Sequence, residues 1–378
     1  MSRRTWRAGL HRELLALQSP PGPRVALDGR ELVNLCGNDY LALSRDERVT
    51  AAASRAASDE GAGAGASRLV TGNPPSYVAL EHDLAEWLGT DTALLFGSGY
   101  HANTGFIPAL CDDGDLVLSD ELNHASLIDG CRLSRATRMI YRHCDLAQLD
   151  ALLAEHRSRY RMAMVITETI FSMDGDAPDL AALVEICERH DAALALDEAH
   201  ALGVVGDGRG LAASLGLIER VDLVVGTFGK AFGSFGAFVA GSAALRDALI
   251  NHARSAIFST ALPPAAVGAA HEALRIIRAE GSDLASRVRG RAGELADLVE
   301  STGHARPEVS GAVVPFVIGA EADALDASQR LFDRGVLARA IRPPTVPRGT
   351  SRIRLTACAG HTDDDMAAVA SAFASLTA

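Results

Sequence analysis

Between residues 92 and 241 short apolar segments recur with helix-like segments between them: ALLF, DLVLSD, AMVITET, AALALDE, DLVVGTF and GAFVAG. A strand that is apolar at successive positions, rather than at every second one, must be covered on both faces. Helices on both sides of a mostly parallel sheet provide that cover, so the expected class is α/β. In such sheets ligands sit at the carboxyl ends of the strands. The residues that close each apolar run are therefore the first candidates for chemistry.

The flanks read differently. A basic amphipathic stretch predicts a helix over about residues 3 to 18, SPPGPR breaks it, and ELVNLCGNDYL has the alternation of a short strand. GAGAGASRLVTGNPP, residues 61 to 75, reads as an ordered loop, and SYVALEHDLAEWLG as a helix with Leu80, Leu84, Trp87 and Leu88 on one face and Ser76 as N-cap. Beyond FSTALPP, residues 258 to 264, helices around RVRGRAGELADLVE and ALDASQRLFDRG alternate with the strands AVVPFVIG and SRIRLTAC. That pattern predicts a smaller α+β unit. The expected division is 1–45 for an N-terminal segment, 46–257 for the large domain and 258–378 for the small one.

A formal charge of -12 disfavours nucleic-acid and anionic-membrane partners, which need a basic face. The six cysteines contain no CxxC pair, and there is no signal-peptide core or membrane-length apolar run, so a reduced, cytoplasmic protein is expected. The histidines form no HxxxH or HExxH pair, and Asp112, Asp113, Asp115 and Asp363 to Asp365 lack metal-loop spacing, so no metal is expected.

Of the 36 lysines and arginines, Lys230 is the one lysine, set among glycines and phenylalanines in GTFGKAFGSFGAF. Arginine replaces lysine wherever a bare charge suffices, but only an amine loses its proton and condenses with a carbonyl. Asp197 and His200 follow one apolar run, in ALALDEAH, while Thr227 and Lys230 follow the next. A carboxylate that keeps a heteroaromatic nitrogen protonated, near an amine that binds an aldehyde, describes pyridoxal 5′-phosphate, PLP. Asp197 alone could equally be an N-cap or an ion-pair partner. DEAH here is no helicase motif, because no GxxxxGK[ST] loop precedes it.

LLFGSGYHANTG turns from a strand into a helix through small residues, so the backbone N–H groups of Ser98, Gly99 and Tyr100 could cradle the phosphate, with Thr227 adding a hydroxyl. His124, in SDELNHASL, could stack on the pyridine ring, although a turn histidine is more often an ordinary surface residue. Phe228, Phe232 and Phe235 could pack the lysine loop or dry the amine.

GNDYLAL, GAGASRLVTGN, SGYHAN, DELNHASLIDG, FSMDGD, DEAHALGVVGDGRG, TFGKAFGSFG and RPPTVPRGTSRIRLT together resemble the α-oxoamine synthases, over nearly the whole chain. These are fold-type I, aspartate aminotransferase-like PLP enzymes that join an amino acid to an acyl thioester with loss of carbon dioxide. The resemblance implies Lys230 as Schiff-base lysine and base, Asp197 as partner of the ring nitrogen, His124 as stacking ring, and His200 beside the phenolic oxygen. It gives Gly99, Tyr100 and Thr227 to the phosphate and Ser172 to the cofactor site. It further implies a homodimer with active sites between subunits, Thr260 of the partner chain reaching the phosphate. Arg354 matches the residue that takes the amino-acid carboxylate, Asn38 lies in the family's matching entry strand at the substrate site, and Thr345 and Arg12 match acyl-substrate contacts. Within the family, RPPTVP with GTSRIRLT is most similar to members that use L-alanine and a pimeloyl thioester, carried by coenzyme A or a carrier protein. Members using glycine with acetyl thioester or serine with palmitoyl thioester are the rivals; an aminotransferase or a cofactor-free binding protein lies further off. The family more often has serine and glycine where this chain has Gly37 and Ala42.

Overall fold

The structure, a computed structural model, describes residues 14–376. It divides into two compact units: a larger one of Leu43–Ser172 and Asp176–Ser286, and a smaller one holding the chain up to Ala42, Met173–Gly175 and the chain from Arg287. The division departs from the expected boundaries at 45/46 and 257/258. FSTALPP precedes a helix instead of a unit boundary, because Pro264–Ser301 is one helix of 38 residues that runs out of the larger unit into the smaller. Local punctuation marks where a helix starts; packing decides which unit each part joins.

The larger unit is built on a seven-stranded sheet in the order β3-β9-β8-β7-β6-β4-β5. The strands are β3 (Thr92–Phe96), β4 (Leu116–Asp120), β5 (Thr137–Tyr141), β6 (Ala163–Glu168), β7 (Ala193–Asp197), β8 (Leu223–Thr227) and β9 (Ala237–Gly241). β9 runs antiparallel to β3 and β8, and the other neighbours pair in parallel. Alternate side chains fill two cores. Val117, Met164, Ile166, Ala195 and Val225 pack with Phe106, Leu127 and Leu249 on one face. Leu118, Val165, Leu194 and Leu196 pack with Leu149, Leu153, Leu183 and Val184 on the other. Each such side chain contributes about 1.5–3 kcal/mol by leaving water, which is why these runs carry no polar alternation.

Two local expectations change, and one strand that the sequence reading lacked is added. Residues 14–18 form no helix, and the rest of the expected helix over 3 to 18 lies outside the described residues. The helix Pro75–Leu88 is preceded by Pro74 as N-cap, so Ser76 lies inside it and donates to Glu60 Oε2 at 2.7 Å. β5 is an edge strand whose TRMIY pattern is mostly exposed, so it carries no apolar run.

In the smaller unit β1 (Arg24–Leu27), β2 (Arg30–Asn34) and β11 (Val336–Leu337) form one sheet, while β10 (Val313–Gly319), β12 (Ala340–Ile341) and β13 (Ser351–Thr356) form another. The helix Asp363–Ala374 opens on a Thr362–Asp365 capping box, as its acidic first turn suggests. No helix of the described residues is long and apolar enough to cross a membrane.

Candidate active site

Parallel pairing sets Glu168 opposite Asp197, and Asp197 opposite Val225. The carboxyl ends of β6 and β7 are therefore level while β8 runs on to Thr227, and the turns and loops leaving all three share one rim. After β8 the loop of Lys230 is closed by Phe228 N–H to Gly236 O at 2.9 Å and Ser234 N–H to Phe228 O at 2.8 Å. Gly233 has φ 61°, and a Cβ there would stand 2.2 Å from Ser44 N, so only glycine fits. Phe228 and Phe232 are fully buried beneath the loop, ring centroids 5.4 Å apart, with Trp87 edge-on to Phe232. Phe235 is 57% exposed in this chain, so of the three phenylalanines only Phe228 and Phe232 are buried under the loop. On this base Lys230 Nζ reaches 2.9 Å from Nε2 of His200, itself buried in the turn after β7.

Asp197 is buried at the end of β7. Its Oδ1 accepts from Ala199 N–H at 2.9 Å and its Oδ2 from Asn103 Nδ2 at 2.8 Å. Both donors are neutral, so a buried negative charge stands among dipoles and a cationic ring nitrogen suits it. His124 caps the helix Ala125–Leu133, its Nδ1 accepting from Ser126 N–H at 3.2 Å and lying 2.7 Å from Ser126 Oγ. Burial lowers the pKa of His124; Lys230 adds to the fall and Asp197 opposes it. Glu168, at the end of β6, accepts from the N–H of His124 at 2.6 Å and from that of Ser172. Burial, reinforced by Asp197, pushes its carboxyl up to about 8.

At the other end of the rim the helix Gly99–Leu110 begins, with Ser98 as N-cap accepting from His101 N–H at 3.1 Å. The first N–H groups of a helix have no partner within it, and they make an anion site. An added Cβ on Gly99 would stand 3.8 Å from Thr227 Cβ, so the Thr227 hydroxyl and the helix start share this corner. Tyr100 is half-exposed, its hydroxyl bonded to Asp129. Thr260 is exposed and bridges to Ser67 of the glycine-rich loop. Lys230, His200, Asp197 and the His124 cap thus flank strand ends of one sheet, with a helix start beside the Thr227 hydroxyl, and these residues fit PLP.

The smaller unit holds the remaining candidates. Arg354 lies on β13, buried, and donates to Asn38 Oδ1 at 3.2 Å and Tyr40 Oη at 3.4 Å. Two residues earlier, on the same face, Arg352 pairs with Asp174 of the FSMDGD segment. Thr345 follows the Pro343–Pro344 pair and donates its N–H to Arg342 O at 3.1 Å. Arg12 lies outside the described residues.

Sequence reasoning missed Asn103, Ser126, Glu168 and His143. Glu168 ends an apolar run just as Asp197 does, and Asn103 lies four residues beyond Gly99 on the same helix face, so both carried a local signal. His143 had no such signal: its Nδ1 meets Asp120 at 3.0 Å and its Nε2 meets Asp176 at 2.9 Å, joining segments far apart in sequence.

A mostly parallel seven-stranded sheet with an amine, a buried carboxylate and a helix start at its carboxyl rim is the arrangement of a fold-type I PLP-dependent transferase. The chain belongs to the aminotransferase class I and II family, whose pattern matches residues 30–373. It is 52% identical over 358 residues to the 8-amino-7-oxononanoate synthase of Anaeromyxobacter dehalogenans, covering 93% of this chain and 88% of that protein. The protein of the same name from Thermoanaerobacter pseudethanolicus is 43% identical, with 97% of this chain and 93% of that one covered. Among solved structures, serine palmitoyltransferase of S. paucimobilis with bound PLP superposes with a TM-score of 0.93 at 29% identity, covering 99% of this chain and 95% of that one. The 8-amino-7-oxononanoate synthase of Francisella tularensis has a TM-score of 0.77 at 26% identity, with 91% and 97% covered.

Proposed function

We infer that this chain is an 8-amino-7-oxononanoate synthase, a PLP-dependent acyltransferase of biotin biosynthesis. It condenses L-alanine with a pimeloyl thioester, releasing carbon dioxide and the free thiol. The reading is carried by the Lys230–His200 pair at the strand ends beside Asp197, in a chain 52% identical to a protein of that name.

When bound, PLP supplies an aldehyde for the amino acid's nitrogen and a ring that draws electrons from its α-carbon. Lys230 would hold the cofactor through its Nζ, and that amine would be the base for the α-proton. Asp197 would partner the ring nitrogen and keep it protonated, and His200 would partner the phenolic oxygen. Ser98, Gly99 and Tyr100 offer N–H groups to the phosphate, Thr227 its hydroxyl, and Ser172 lines the cofactor. His124 would stack on the ring and hydrogen-bond the substrate. Arg354 with Asn38 grips the carboxylate that is later lost, for which a planar guanidinium is suited. Thr345 and Arg12 contact the acyl chain and its carrier, coenzyme A or a carrier protein. The working unit is a cytoplasmic homodimer, in which the partner's copy of Thr260 completes the phosphate site.

The likeness to serine palmitoyltransferase supports a serine-using reading, but at 29% identity against 52% it is the weaker one. Thiol release from purified protein, measured with glycine, L-alanine and L-serine against acetyl, pimeloyl and palmitoyl thioesters, decides between them. L-alanine with the pimeloyl thioester should turn over fastest; a preference for glycine with acetyl, or serine with palmitoyl, overturns the assignment.

A further inference from the structure

We propose that Asn103 is a positioning residue that ties the carboxylate of Asp197 to the imidazole of His124 by way of Ser126, so that one amide sets both groups. Asn103 is 1% exposed on the helix Gly99–Leu110 and spends both N–H donors inside the larger unit. One goes to Asp197 Oδ2 at 2.8 Å and the other to Ser126 Oγ at 2.9 Å. Its Oδ1 is buried with no hydrogen-bond partner. A rotated amide would turn that oxygen on the carboxylate, so the amide's orientation is set by the charge of Asp197.

The second donor then fixes the hydroxyl. Because Ser126 Oγ accepts from Asn103, its own proton is directed to His124 Nδ1 at 2.7 Å. The N–H of Ser126 aims at the same nitrogen from 3.2 Å. A ring nitrogen that accepts two donors carries no proton, so the neutral imidazole is protonated on Nε2. The order of donation is amide to carboxylate on one side, and amide to hydroxyl to imidazole on the other. Glu168 and Lys230 also face His124, one through its N–H and the other by charge, but neither sets Nδ1.

The inference deepens the proposed function, and its two readouts separate the two. The ¹⁵N signals of His124 in the PLP-bound protein, assigned by their loss in His124→Phe, need no substrate. Deuterium exchange at the α-carbon of L-alanine, without thioester, reports how well Asp197 serves the ring. Ser126→Ala removes the hydroxyl but keeps the backbone donor, so it should shift the His124 Nδ1 signal toward a more weakly bonded nitrogen and slow exchange less than Asn103→Leu, because the Asp197 contact stays in place. Asn103→Leu should move the His124 signal and also slow exchange about ten- to a hundredfold, the worth of a hydrogen bond to a charged group. Asn103→Asp keeps the size and regains one donor when protonated, so its exchange rate relative to wild type should rise as pH falls. A purely structural asparagine gives no such recovery. The proposal is overturned if Ser126→Ala slows exchange as much as the Asn103 variants, or if Asn103→Asp exchanges at the wild-type rate at every pH. If Asn103→Leu does not fold, Ser126→Ala and Asn103→Asp decide it. Absence of exchange in wild type would count against the proposed function, while the His124 signals would still test the relay.

Discussion

Lys230 Nζ stands 2.9 Å from Nε2 of His200, which joins the loop after β8 to the turn after β7 and holds the chain's one lysine over the strand ends. An arginine there keeps the charge but cannot bond an aldehyde. Lys230→Arg should retain no cofactor mass after borohydride reduction and denaturation, and should lose about 10²–10⁴-fold in turnover, the usual worth of a positioned base. Cofactor mass still attached to the variant would place the covalent link elsewhere.

Arg354 is held by Asn38 and Tyr40 within the smaller unit, an arrangement that fixes a planar fork. Arg354→Lys should raise the KM for L-alanine about ten- to a hundredfold while changing kcat much less, since charged hydrogen bonds contribute about 1.5–3 kcal/mol. A drop in kcat at unchanged KM would remove the carboxylate-binding role.

Glu168 and Glu198 give stability a pH slope. Burial pushes Glu168 up to about 8 and Glu198, which accepts from Leu211 and Ala212 N–H, up to about 7, from an ordinary 4.5. A raised carboxyl pKa means the folded state holds its proton longer than the unfolded one. The stabilisation is therefore complete below 4.5 and is lost as pH rises to about 7 for Glu198 and about 8 for Glu168. Thermal unfolding measured from about pH 5 to about pH 8.5 should show a falling Tm, with a shallower fall in Glu168→Gln. An identical slope in the variant would mean that Glu168 is ionised throughout.

Ala42 takes φ 58°. A left-handed alanine costs about 1–2 kcal/mol, of which the looser unfolded chain of a glycine variant offsets about 0.4–1. Ala42→Gly should raise unfolding stability by about 0.5 kcal/mol or somewhat more in urea titrations. A loss would show that the methyl group's packing outweighs the strain.

Much of this protein was legible locally. Runs such as ALALD and LVVGT declare strands covered on both faces, because no position along them could face water. The same runs mark their own carboxyl ends, and so pick out Asp197, His200, Thr227 and Lys230. A side chain's chemistry and the period of its neighbours are written in the chain itself, and those two properties gave the fold class and singled out Lys230 as the candidate amine.

Tertiary structure alone decided which of those residues meet. Asn103 reaches Asp197 across 94 positions, and His143 reaches Asp176 across 33, through strand register and helix packing that no local pattern encodes. Phe228 and Phe235 stand in the same loop with the same chemistry, yet one is fully buried and the other is 57% exposed. Burial depends on what the rest of the chain brings alongside, and so do the length of the helix past FSTALPP and the pKa of Glu168. A sequence supplies the groups; only the packed molecule fixes their distances, and distance sets the energy.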